Sequence, residues 1–77
     1  MEEKVINLIA RILGVDSGEL DLSTEIGDLP EWDSMHHIAI IKELENLFNI
    51  KFEQGDLADC EDISDLVALI NDLNADR

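Results

Sequence analysis

Basic residues are scarce in this sequence. Five Lys and Arg stand against 19 Asp and Glu, for a formal charge of −14. A field of that sign repels nucleic acid and anionic membranes, so neither is expected as a partner, and it favours basic protein surfaces. Cys60 is the only cysteine. That excludes a disulfide framework and a cysteine-based metal site and suits a reducing compartment. The thiol is expected to be a small buried apolar filler. No apolar run approaches membrane-spanning length. Met1-Glu2-Glu3-Lys4 lacks the basic start and apolar stretch of a signal peptide, so the cytoplasm is the expected location. There are no internal repeats and no low-complexity segment.

What is present is enough for one small core. With 77 residues and 45% apolar content, the chain reads as a single domain, 1–77, near the lower limit for independent folding and too apolar to be disordered. Its high like charge points to a monomer.

Apolar spacing defines the elements. Val5, Ile9, Ile12 and Leu13, joined by Ile6 and Leu8, recur at helical intervals and predict a first helix over 3–13, with Glu2 and Glu3 at its start and Gly14 as its stop. The segment 14–33 holds three of the four glycines and the only proline. It is long for a connection in so small a domain, and such loops tend to be functional. Val15, Leu20, Leu22, Ile26 and Leu29 are expected to pin it to the core. A second helix is predicted over 34–49, its core arc formed by Ile40, Ile41, Leu44, Leu47 and Phe48. A short helical turn is expected over 56–60. A last helix follows over 63–73, with Asp62 as N-cap and Leu66, Val67, Ile70 and Leu73 as its stripe. The predicted fold is an all-α small four-helix bundle: three longer helices, one short helix, and a long loop between the first and second.

Ser34 stands where that loop meets the second helix, in Glu31-Trp32-Asp33-Ser34-Met35. Asp33 or Ser34 can cap the helix. A serine there is exposed at the positive end of the helix dipole, a setting that suits an attached phosphate. Met35 and Ile38 lie off the core arc, on the Ser34 side with Lys42 and Glu45. They either form a contact surface or pack under the long loop.

This arrangement resembles the acyl carrier protein family, including peptidyl and other thioester carriers, over nearly the full chain. The family's Asp-Ser-Leu motif at the start of its second helix is matched by Asp33-Ser34-Met35. Its end of helix two is similar to Leu44-Glu45-Asn46-Leu47-Phe48-Asn49-Ile50-Lys51-Phe52, and the start of its last helix is similar to Asp62-Ile63-Ser64-Asp65-Leu66-Val67. The resemblance implies that Ser34 receives 4′-phosphopantetheine from coenzyme A through a separate phosphopantetheinyl transferase. It implies that Asp33 and Met35 flank the attachment site, and that the arm's thiol carries an acyl or aminoacyl group as a thioester. Docking of acyl-loading and acyl-processing enzymes, with their basic patches, would fall to Met35, Ile38 and Glu45. The carrier itself would have no catalytic residue; its effect is to hold cargo near a docked enzyme at roughly millimolar effective concentration. Two departures stand out. Met35 replaces the usual leucine. His36, His37, Ala39, Lys42 and Asn46 make helix two less acidic than in carriers of fatty-acid synthesis, so the chain looks more like discrete carriers of specialised or surface-polymer pathways, or peptidyl-type carriers.

The same residues admit other readings. An acidic interaction module, never modified, would use the Met35–Ile38 face to bind a basic partner, but it gives no reason for a serine at that helix start. His36 and His37 point about 100° apart and have no partner at i+3 or i+4, so no metal site is expected. Windows starting at Asp16 and Asp21 fail the EF-hand pattern. Asp33, Ser34 and His37 match no hydrolytic triad in order or spacing. His37 falls in the core arc, as a half-buried histidine with a hydrogen-bond partner or as a residue at the mouth of a cargo pocket. Trp32 either covers the loop–helix junction or stays open to the arm or a partner.

Overall fold

In the computed structural model, which describes residues 1–75, four α-helices surround one core: α1 (Glu2–Leu13), α2 (Ser34–Phe48), α3 (Gln54–Ala58) and α4 (Ile63–Ala75). No strand is present among the described residues, only an isolated bridge between Glu25 and Asp62. No described helix is long and apolar enough to cross a membrane.

Each boundary has a local cause. α1 starts with Glu2 and Glu3 on its positive end and stops at Gly14. The Gly14 φ of 73° is left-handed, and its N–H bonds back to Ala10 O. α2 ends at Phe48, one residue before the predicted end, because Asn49 turns left-handed at φ 54°. Asparagine tolerates that conformation better than most residues with a Cβ. α3 forms over Gln54–Ala58 rather than 56–60, so Cys60 lies outside it. At the head of α4, Asp62 Oδ1 accepts from the Asp65 N–H at 2.9 Å and from the Ser64 hydroxyl at 2.6 Å. That is the expected N-cap.

The core is built from Val5, Leu8, Ile9, Leu13, Ile40, Ile41, Leu44, Ile63, Leu66, Val67 and Ile70, closed by Leu20, Trp32 and Phe52. Leu47, expected on the core arc, is instead 49% exposed. It sits at the angular edge of the arc, whereas Phe48, one residue further along α2, packs against the core. Cys60 is only half-buried, short of the buried filler expected, and its thiol is held up by burial and the surrounding aspartates.

The long connection is ordered by three devices. A 3₁₀ turn, Ser17–Glu19, forms at a capping box between Asp16 and Glu19. Gly27, at φ 85°, makes the turn that leads to Trp32. Backbone bonds then join the loop to the head of α4: Ile26 N to Glu61 O at 2.9 Å, Ile63 N to Thr24 O at 3.1 Å, and Ser64 N to Leu22 O at 2.9 Å. Leu20 is buried, and Val15, Leu22, Ile26 and Leu29 pack against the core as expected.

Candidate functional site

The site begins with Asp33, which settles the cap. Its backbone is extended (φ −94°, ψ −177°), and its carboxylate accepts the His36 N–H. That bond is 2.9 Å long, and the same Oδ1 lies 2.8 Å from His36 Nδ1. One oxygen therefore meets both the backbone and the ring of His36. These bonds, the backbone N–H foremost, hold the Asp33 carboxyl below the usual carboxylate range. The cap stays ionised at neutral pH and is lost only as strong acid protonates it.

With Asp33 as cap, Ser34 is the first residue of α2 and is exposed. Among the described residues no hydrogen bond ties up its hydroxyl. The hydroxyl thus stands free beside helix N–H groups at the positive end of the dipole, where a phosphate oxygen is stabilised. This is a fit for a phosphodiester. A shallow depression of about 280 Å³ opens beside it, lined by Asp33, Met35, His36 and Ala39.

Met35 is 79% exposed and Ile38 56% exposed. Neither packs under the loop, so the contact-surface reading survives. Glu45 points elsewhere in part: it is half-buried, and its Oε2 accepts the Phe52 N–H at 2.8 Å, fastening the end of α2 to the segment before α3. Its carboxylate therefore has an internal use.

Trp32 is buried, and it covers the loop–helix junction. Its indole Nε1–H donates to His37 Nδ1 at 3.2 Å. His37 is half-buried with a partner, as its place on α2 implied. Spacing along the chain does not reveal this pair, because the two residues belong to different elements and meet only when the loop folds over α2. Burial holds His37 below its ordinary value of 6.5. The unfolded chain binds its proton more readily than the folded one, so stability is full above pH 6.5 and falls as pH drops through that value toward the folded one. Protonation would also set an Nδ1–H against the indole N–H. We expect Trp32 fluorescence and the urea midpoint to fall as pH is lowered through 6.5 in the wild type. His37→Asn keeps an acceptor near the Nδ1 position but does not titrate, so it should flatten that slope; an unchanged slope would assign it to other groups.

Residues 3–70 match the family described as Phosphopantetheine attachment site. Nine solved chains match in structure. One is the solution NMR structure of a holo acyl carrier protein from Geobacter metallireducens, which superposes with a TM-score of 0.86 at 28% identity, covering 97% of this chain and 86% of that one. No curated protein sequence matches significantly.

Proposed function

This chain belongs to the phosphopantetheine attachment-site family and is an acyl carrier protein bearing covalent 4′-phosphopantetheine, and we propose that Ser34 is where the group is attached. The observation that carries the assignment is the free, exposed hydroxyl at the first position of α2, beside a cap that is Asp33 and not the serine itself. In the modification, Ser34 Oγ bonds to the pantetheine-bearing phosphorus of coenzyme A, an adenosine bisphosphate leaves, and the hydroxyl proton is lost to the transferase or solvent. The attached group supplies a thiol that holds an acyl or aminoacyl cargo as a thioester. Asp33 fixes the start of α2 so that the hydroxyl faces outward. The chain acts as one carrier domain, and the chemistry on the cargo belongs to enzymes that dock to it in turn. Cytoplasmic residence and a monomeric state are part of the same reading, supported by the single free thiol and the charge of −14.

The test is intact mass after incubation with coenzyme A and a broad-specificity phosphopantetheinyl transferase, with the modified peptide sequenced. A gain of one phosphopantetheine on Ser34 is expected. A folded sample that gains nothing would favour the unmodified interaction module, and a gain at another residue would sink the Ser34 assignment.

Docking is assigned to Met35 and Ile38, whose exposure leaves apolar area for a partner to cover, with Glu45 adding negative charge nearby. Burying such a side chain is worth about 1.5–3 kcal/mol. Met35→Ala with Ile38→Ala should therefore lower transferase kcat/KM by roughly tenfold or more. The change should fall mainly in KM and leave the melting temperature alone. Unaltered kinetics would place docking elsewhere.

A further inference from the structure

One surface groove has no part in the site described above. It holds about 590 Å³ between the length of α1 and the last turns of α2, and its walls include Lys4, Leu8, Arg11, Glu43, Asn46 and Leu47. Lys4 and Arg11 are two of only five basic residues in a chain with 19 acids, yet both line this one groove. Neither forms an ion pair among the described residues, where the one ion pair is His36 with Asp33. Lys42 and Lys51 form no ion pair among these residues either, so what sets the groove apart is that it gathers two cations along one wall, an arrangement that suits an outside anion. Leu8 and the exposed Leu47 give an apolar surface between them.

The groove also connects with Ser34. His36 and Ala39 line the depression beside the serine, and Glu43, Asn46 and Leu47 line the groove. These positions follow three- and four-residue steps, so they form one stripe along α2. At 1.5 Å per residue, the stripe runs roughly 13 Å from Ser34 to Glu43 and roughly 18 Å to Asn46. A phosphopantetheine arm has about thirteen bonds from phosphorus to sulfur; at roughly 1.2 Å per bond, as in an extended peptide, it reaches about 16 Å. The thiol, and a short acyl group beyond it, come within range of the groove.

We infer that this groove receives the chain's own cargo, and that the cargo is a short acyl group ending in a carboxylate. Lys4 and Arg11 meet the carboxylate, Asn7 and Asn46 offer amide donors, and Leu8 and Leu47 cover the methylenes. Glu43 opposes a second negative charge, which favours a monoanionic end over a phosphate. The inference rests on Ser34 being the attachment point.

The experiment loads ¹⁵N-labelled protein with glutaryl- and pentanoyl-phosphopantetheine from the two coenzyme A thioesters, which match in length and differ in the terminal carboxylate. Mass is checked first, then amide shifts are compared. Glutaryl loading should move the amides of Asn7, Arg11, Asn46 and Leu47 and the side-chain NH₂ groups of both asparagines, whereas pentanoyl loading should leave them near the unloaded position. Lys4→Gln with Arg11→Gln, both at exposed positions, should abolish the glutaryl-specific shifts while the remaining spectrum stays folded. A correct mass with no shifts at the groove overturns the cargo inference and leaves the carrier reading intact. Equal shifts from both acyl groups overturn the assignment to a carboxylate. Shifts produced equally by a free acidic peptide, and displaced by it, would make the groove a partner's docking site instead. No mass gain on Ser34 would end both readings together.

Discussion

Ser34→Ala is expected to abolish phosphopantetheine attachment completely while the melting temperature moves by less than about 4 °C. The two halves of this result have separate causes. Attachment is lost because no other hydroxyl takes the place of this one: Ser34 alone is the first residue of α2, exposed and clear of hydrogen bonds. Stability is kept because the serine is not the cap. Asp33 accepts the His36 N–H, and that bond survives the substitution. An exposed position without such a duty changes stability by no more than about 0.5 kcal/mol, and 1 kcal/mol corresponds to about 4–8 °C in a domain of this size. Intact mass and a thermal melt on the same preparation check both halves. Residual modification would mean a second acceptor; a large loss of stability would mean that Ser34 supports the fold in a way its exposure does not suggest. Asp33→Ala should behave in the opposite sense, lowering stability while retaining an acceptor hydroxyl.

Leu44→Ala is expected to have the largest effect on the fold. Leu44 is 0% exposed on the inward face of α2. Truncating a leucine so enclosed typically costs about 2–5 kcal/mol. Total stability at about 0.05–0.15 kcal/mol per residue amounts to roughly 4–12 kcal/mol here, so one substitution removes a large share. The melting temperature should fall by roughly 10 °C or more. Leu47→Ala, on the same helix three residues later, should cost only about 1 kcal/mol, because that side chain is half in solvent. Urea denaturation of the two variants side by side reads the contrast. Equal losses would contradict the burial pattern of α2.

The pair also shows what the sequence can and cannot reveal. Leu44 and Leu47 are the same residue type on the same apolar arc. Periodicity places both near the core; it does not say how wide a part of the arc the neighbouring elements cover. At the arc's centre the prediction holds for Ile40, Ile41 and Leu44, and at its edge Leu47 is open. Met35 and Ile38, off the arc, are exposed as one of their two readings required. Helix ends were legible where a residue enforces them. Gly14 and Asp62 are such cases, and Asn49 shortens α2 by one residue through its left-handed turn. The 3₁₀ turn carried a local signature that spacing of apolar residues does not register: Asp16 followed three residues later by Glu19.

The site was legible to the extent that it is local. Asp33, Ser34 and Met35 are adjacent, and a cap followed by an exposed hydroxyl can be read from three letters. What could not be read depends on chain segments meeting. The Trp32–His37 bond requires the loop to lie over α2. The Glu45–Phe52 bond requires the chain to turn back after Asn49. The groove joining Lys4 and Arg11 to Leu47 exists only once α1 and α2 have packed.

The backbone bonds from Leu22, Thr24 and Ile26 to Glu61, Ile63 and Ser64 also set an order of events during synthesis. The loop leading to Ser34 is fastened by residues made roughly forty positions after it, and a chain emerging at about 5–20 residues per second spends seconds without them. During that interval α1 and α2 can pair, but the approach to Ser34 has no fixed shape. A modifying enzyme that recognises the finished loop and helix start together would pass over the nascent chain. The bridge to α4 would then act as a maturity check, admitting the prosthetic group only after the last helix has begun to form.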